Sequence, residues 1–451
     1  MSQIGSQTGS QSGSYSEPQV GALAESEAHS RDYAVLCLLT VINVMNFVDR
    51  QLLASFANFI VPDLGLSNTQ FGLLTGFAFI VFYSVMGLFM GTLADRLHRP
   101  RLLAFGLALW SGLTAASGAA KGFVTMLIPR MLVGVGESVA TPTAMSMLAD
   151  RFPSRQLGFA AGFYYMGVPI GVAASLLIAG YLGPAIGWRA CFYLLGGIGL
   201  LLAVGLLFLG ETPRKGVGTT SPEKLKFREI IKILRGSLTQ SPALVCTIAG
   251  GVAFHFILGA AAFDQLWFVN ERGFERAEIA RHSGWLAAAG GILGNLLGGW
   301  LSDKWQQNFK TGRPMFLFWT SLLLSPFAVA YRLVPADHIL FDLGIFLGFV
   351  QLGLFYGPTF STVQELVPAR IRATVVAFYI LSLNLIGLGI GITGGGILAD
   401  YMTAQGHAEP YTVTLLVFTV LSMLAIPLMY VAGTRFHADR ARLFGDGETA
   451  Q

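Results

Sequence analysis

Twelve stretches of this chain are each apolar for long enough to cross a lipid bilayer as a helix, and no soluble fold accommodates that many. Crossing roughly 30 Å of hydrocarbon takes about 20 predominantly apolar residues. Such stretches occupy residues 33–60, 69–94, 101–120, 124–149, 156–182, 189–210, 241–269, 281–302, 314–334, 339–364, 373–400 and 411–434. Composition agrees, since 53% of the 451 residues are hydrophobic and only 12% are charged, against about 25% charged in soluble domains. The predicted fold class is an all-α membrane protein with twelve transmembrane helices. Its 55 glycines and 34 phenylalanines suit close helix contacts and bulky rings facing lipid or a cavity.

Orientation follows from the basic residues, because Lys and Arg stay on the cytoplasmic side of a span. With the N-terminus inside, cytoplasmic segments hold 21 of the 29 Lys and Arg residues and outer loops hold 6, leaving Arg50 and Arg130 within spans. Both termini are therefore expected in the cytoplasm, with the spans crossing the inner membrane. The outer loop carrying Arg272, Arg276 and Arg281 fits this rule least well. Residues 1–30 form a Ser/Gly/Gln tract with no basic n-region or cleavage site, so a disordered tail rather than a secretory signal is expected.

Between the sixth and seventh spans, residues 213–240 turn polar. Phe227, Ile230, Ile231 and Leu234 recur there at helical spacing opposite Arg228, Lys232 and Arg235. This pattern predicts an amphipathic surface helix joining two six-helix bundles, residues 31–212 and 241–436, with 437–451 as a cytoplasmic tail. The two halves resemble each other. Gly91, Asp95 and Arg96 match Gly299, Asp303 and Lys304 at an offset of 208. Asp150, Pro153, Arg155, Phe163 and Tyr164 match Glu365, Pro368, Arg370, Phe378 and Tyr379 at an offset of 215. Two independent matches in corresponding loops indicate duplication of a six-span unit. An acid at a helix end beside bases can form ion pairs that hold one conformation. Gly91, Asp95, Arg96, Asp303 and Lys304 are accordingly gating candidates; plain positive-inside anchoring is the simpler alternative for the bases.

Charges at span centres are the most informative residues. Asp49 and Arg50 lie within the first span, Arg130 and Glu137 within the fourth, and each unpaired charge there costs about 2.5–3.5 kcal/mol. They must pair, face a wet cavity or lose charge. Arg130 and Glu137 are seven residues apart, two turns along one helix face. Asn43, Asn46 and Arg50 extend a polar stripe along the first span, with Asp49 on its flank. Low dielectric favours a neutral carboxyl and a nearby arginine favours the ionised form, so Asp49 and Glu137 can switch as arginine geometry or cargo occupancy changes. A static network that holds the first bundle together is the alternative. The second half offers His255 and Asp264, with the neutral Asn295, Gln351 and Asn384. A lone histidine in a span is usually satisfied by a neighbour, and Asp264 sits near a span end.

Helix breakers are expected to bend three spans: Gly167, Pro169 and Gly171 in the fifth, Gly357 and Pro358 in the tenth, and Gly387, Gly389, Gly391 and Gly394 to Gly396 in the eleventh. Residues 389–394 match G-x-G-x-x-G, but without a preceding strand this reads as packing or a hinge rather than dinucleotide binding. The chain carries no G-x-x-x-x-G-K-[ST] loop, no H-E-x-x-H pair and no clustered His/Cys ligands, so no enzyme activity, metal or cofactor is expected. Cys37, Cys191 and Cys246 lie in apolar stretches and read as small buried hydrophobes. A formal charge of +4 without a basic face gives no reason to expect a nucleic-acid partner.

From about residue 31 to residue 436 the sequence resembles the major facilitator superfamily. GTLADRLHRPR resembles that superfamily's loop motif between spans two and three, with His98 where glycine is usual, and RMLVGVGE resembles its span-four motif. NFVDR, RMLVGVGESV and FYYMGVPIG together resemble the spinster branch. The resemblance implies a monomeric transporter, a bacterial homologue of that branch, that moves lysolipids or sphingolipid phosphates across the inner membrane by alternating access coupled to protons. It implies Asp49 and Glu137 as protonation sites. Arg50 and Arg130, with Asn46, become their charge partners or anchors for a phosphate headgroup, which arginine's planar fork can bind bidentately. For a bacterial chain a lysophospholipid is the expected cargo, and membrane lipids are the expected surroundings. A proton-coupled organic-anion symporter or multidrug exporter of the same fold is the alternative.

Overall fold

The computed structural model describes residues 29–211, 227–309, 311–368 and 371–444. The predicted first-tail residues 1–28, the first part of the linker and residues 445–451 lie outside the described residues, as do the side chains of Phe227, Arg228, Ile230 and Ile231.

The described chain is helical throughout. Span one is α1 (Ser30–Ser55) and α2 (Ala57–Leu64), ended by Gly65 at φ 60°. In span two, α3 (Asn68–Gly72) passes through a π-helical turn at Leu73–Phe77 into α4 (Ala78–Arg96). Span three is α5 (Arg99–Gly118), and span four is α6 (Phe123–Glu137) with α7 (Ala140–Arg151). Spans five and six are α8 (Ser154–Tyr165) and the 41-residue α9 (Gly167–Leu207), which turns sharply at Gly187, φ 79°. That left-handed conformation favours glycine, and the kink there separates two helices that make two crossings. The linker helix α10 (Phe227–Gln240) packs against the second half.

That second half comprises α11 (Pro242–Ala260) and α12 (Asp264–Asn270) as span seven, then α13 (Arg276–Asn308), α14 (Arg313–Leu333) and α15 (Ile339–Glu365) as spans eight to ten. Span eleven is α16 (Arg372–Ser382), a π-helical turn at Leu383–Leu388 and α17 (Gly389–Ala404); span twelve is α18 (Pro410–Ser422) and α19 (Ala425–Phe444). By length and composition alone, nine helical stretches among the described residues can cross a membrane, with spans five and six counted together. Spans three and eight complete the twelve, their serines and glycines diluting the apolar run. Leu201, Phe208, Leu323 and Ile339 are strongly exposed, as a bilayer-facing surface requires.

Helix breakers behave differently from one another. Span five breaks at Met166, between α8 and α9, and span eleven takes up its π-helical turn just before the glycines. Span ten does not break: α15 runs unbroken through Pro358. Thr359 and Thr362 hydroxyls there donate to the carbonyls of Phe355 and Pro358, at 2.9 and 2.7 Å. The C-terminal segment also differs from expectation. Residues 437–444 continue α19 as helix, because buried Asp439 accepts from the Ser241 hydroxyl at 3.2 Å and the Ala243 N–H at 2.8 Å, tying the end of span twelve to the start of span seven.

The two six-helix bundles touch chiefly at the end of the molecule away from the termini. Phe71 and Phe263 meet edge-on at 5.5 Å there, within an apolar core that includes residues of both bundles. Toward the termini, the interface spans two, five, eight and eleven instead expose Phe89, Phe159, Phe163, Leu296, Trp300 and Ile380.

Candidate functional site

Span one and span four cross in the middle of the first bundle and place four charged residues together. Arg50 donates to Glu137 Oε2 from Nε at 3.2 Å and Nη2 at 3.1 Å, and Nη2 also reaches Asn46 Oδ1 at 3.5 Å. Its guanidinium lies 4.5–5.0 Å from the ring centroids of Phe47, Phe79 and Tyr83, a cation–π box that offsets part of the lost hydration. Arg130 is held differently. Its Nη1 and Nη2 donate to the backbone oxygens of Asp49 and Arg50, at 3.4 and 3.5 Å, so it braces span one rather than pairing with a carboxylate.

Asp49 is the unusual member. Both of its carboxyl oxygens are buried and, like Trp110 Nε1 and Thr114 Oγ1 on span three, have no hydrogen-bond partner among the described residues. Asp49, Arg130 and Glu137 are sealed, whereas the Arg50 side chain keeps 23% exposure against 0% for Glu137. Arg50 is therefore the most exposed of the four charged groups.

Of the loop residues singled out by the repeat, Asp303 and Lys304 make contacts within their own half. The Asp95 side chain and Gly91 lie outside the described residues, and Arg96 is exposed. Asp303 pairs with Arg313 at 2.9 Å, and Lys304 stands 4.0 Å over the Trp300 ring. A second layer of the duplication was not anticipated. Arg99 is buried and bonds Asp150 Oδ2 at 2.5 Å, Glu211 Oε1 at 2.8 Å and the Ser146 carbonyl at 3.2 Å. In the other half Arg313 pairs with Glu365. Asp150 and Glu365 were already matched by sequence, and the dipeptides Arg99-Pro100 and Arg313-Pro314, each opening a helix, were the signal that could have found their partners.

Burial pushes the Glu211 carboxyl up, but the Arg99 side chain and N–H outweigh it and hold it below the usual glutamate range. A carboxyl lowered in the folded state binds fewer protons there than in the unfolded chain. Its stabilisation is thus complete above the ordinary glutamate value and is lost as pH falls through the lowered one. Arg99→Ala leaves two acids without their buried partner, and a loss of about 3–5 kcal/mol is expected. Thermal unfolding in detergent checks this; a melting point unchanged from wild type excludes it.

Polar groups also close the bundles against each other at the end away from the termini. Asp400 of span eleven accepts from Asn68 N–H at 3.0 Å and Nδ2 at 2.9 Å, and from Thr69 N–H at 2.8 Å and Oγ1 at 2.6 Å. Tyr411 donates to Asn68 Oδ1 at 2.7 Å. Asn58 reaches the Gln265 carbonyl at 2.7 Å, and Arg281 the Gly180 carbonyl at 3.0 Å. Backbones approach closely here: a Cβ on Gly72 would sit 2.8 Å from the Ile392 oxygen, and one on Gly396 would press on the Asn68 carbonyl. The glycines of 389–396 therefore serve packing.

A family model described as Major Facilitator Superfamily matches residues 39–391, well over half of the chain. The chain belongs to the Major Facilitator Superfamily. This superfamily member is 28% identical over 425 residues to an MFS-type efflux pump of Mycolicibacterium smegmatis, covering 92% of this chain and 96% of that one. It is 28% identical over 407 residues to the hexuronate transporter of Bacillus subtilis, covering 86% and 93%. A probable sphingolipid transporter, spinster homolog 2, of Arabidopsis thaliana is 24% identical over 439 residues, covering 90% and 88%. Among solved structures, a bacterial homolog to the human lysosomal transporter Spinster, inward-facing and unoccupied, matches with TM-score 0.79 at 24% identity over 92% of this chain and 99% of that one. The protein is a multi-pass membrane transporter of the major facilitator fold, not an enzyme.

Proposed function

We propose that this transporter moves lysophospholipid-like amphiphiles across the inner membrane, with both termini in the cytoplasm and proton uptake at Glu137 and Asp49. The observation that carries the reading is the combination of one reachable arginine, boxed by aromatic rings, with apolar rings exposed on the interface spans toward the termini. An amphiphile needs both parts, a charged contact for its head and an apolar wall for its chain.

Coupling then follows from competition for Arg50. Glu137 holds it through Nε and Nη2; a phosphate headgroup offers the same planar fork two oxygens. When cargo takes the arginine, Glu137 is left buried without its counter-charge and binds a proton instead. Return of Glu137 to Arg50 expels both proton and cargo. Arg130 keeps the two spans in register for this exchange, and Asn46 steadies the Arg50 fork. With the termini inside, the sealed end faces outward and the gap opens inward. The Gly91–Asp95–Arg96 and Asp303–Lys304 loops are then the elements that close the inner side in the alternate state.

A second reading, a multidrug exporter, is favoured by the similarity to the efflux pump. Reconstituted protein separates the two. The lipid reading expects flux of lysophospholipids to rise with acyl length and to be accompanied by proton movement, read with an internal pH dye. Flux indifferent to chain length, or without proton movement, refutes it.

A further inference from the structure

The second half presents a pair that the coupling scheme does not use. His255 of span seven is buried, and its Nδ1 lies 2.8 Å from the Gly251 carbonyl oxygen. A carbonyl only accepts, so Nδ1 carries the hydrogen. The neutral ring then has a bare Nε2, and the group 3.2 Å from it is the hydroxyl of Tyr356 on span ten. Tyr356 must therefore donate its only hydrogen to His255. Stacking of Phe254 on Phe355 at 4.1 Å, beside both residues, fixes the arrangement.

The consequence lies on the other side of the hydroxyl. Tyr356 is half-buried and makes no other hydroxyl hydrogen bond among the described residues. With its hydrogen committed, its oxygen can only accept. One half of the molecule thus offers a fork of donors and the other a lone acceptor.

We infer that His255 and Tyr356 form a specificity site for a donor group, a hydroxyl or ammonium, placed next to the phosphate that Arg50 holds. In a lysophospholipid this is the free glycerol hydroxyl left where the second acyl chain is missing. Acceptor-only headgroups meet the Tyr356 lone pairs unpaired and forgo that hydrogen bond. The inference rests on the lipid reading above and adds to it the group that distinguishes a lysolipid from its capped analogues.

Two cargoes test it: lysophosphatidic acid and its 2-O-methyl analogue, which lacks the donor. Each is assayed for binding and flux with full-length protein in proteoliposomes. Wild type is expected to prefer the hydroxyl form about threefold to tenfold, the range of one neutral hydrogen bond. Tyr356→Phe should bring the ratio to about one by losing the hydroxyl form selectively. His255→Leu should also erase the preference, but by the opposite route, because the freed Tyr356 hydroxyl can turn to donate to either phosphate. A preference retained in Tyr356→Phe, absent in wild type, or unaltered in His255→Leu overturns the inference. Failure of wild type to carry either lipid overturns the lipid reading itself, and is distinguished by that result.

Discussion

Glu137→Gln is expected to reduce uphill, pH-gradient-driven flux by a hundredfold or more, while cargo exchange without a gradient persists. Glutamine keeps the shape and still accepts from Arg50, but it cannot take a proton. The side chain it replaces is fully buried and is the only carboxylate bonded to Arg50 among the described residues. Asp49→Asn tests the second acid, whose oxygens have no hydrogen-bond partner among the described residues. Loss of uphill flux in both, with exchange retained, is the expected result; unchanged coupling in both removes their assignment. Glu137→Ala is a poorer test, since a buried arginine stripped of its partner costs about 3–5 kcal/mol and conflates stability with coupling.

Asp400→Ala should produce the largest conformational effect. Its carboxylate takes four hydrogen bonds from Asn68 and Thr69 of the opposite bundle, and bonds to a charged group are worth about 1.5–3 kcal/mol each, without simple additivity. A net shift of about 1–3 kcal/mol corresponds to roughly a 5- to 150-fold change in the balance of states. The readout is labelling of a cysteine at position 58 by an impermeant thiol reagent, in a background lacking Cys37, Cys191 and Cys246. Asn58 bonds across the bundles near this latch, so release of the latch should speed its labelling severalfold. Equal labelling rates in the presence and absence of Asp400 exclude the latch.

The twelve crossings, the linker helix and the duplication were legible because each leaves a periodic or compositional trace. Apolar length marks a span whatever packs on it, and two loop matches at offsets of 208 and 215 mark a repeat. The central charges were legible for the opposite reason: hydrocarbon makes them conspicuous. Pairing was not. Sequence placed Arg50 and Arg130 alike beside the acids, yet Arg50 bonds Glu137 while Arg130 bonds carbonyls of span one, a choice set by helix crossing rather than by residue type. Asp400 was invisible because an acid at a span end resembles any solvated end until Asn68, more than 300 residues earlier, is brought against it. Pro358 was expected to bend its span; α15 continues as helix through it, because a proline removes one rung of the hydrogen-bond ladder and leaves the others in place.

Where Gly72 and Gly396 press backbone on backbone, the separation of the bundles is set by the size of a hydrogen atom. One added carbon there acts as a shim under a rocking joint. Drift at those two codons would alter dwell time before it altered what is carried, so the pace of the cycle and the choice of passenger can evolve separately.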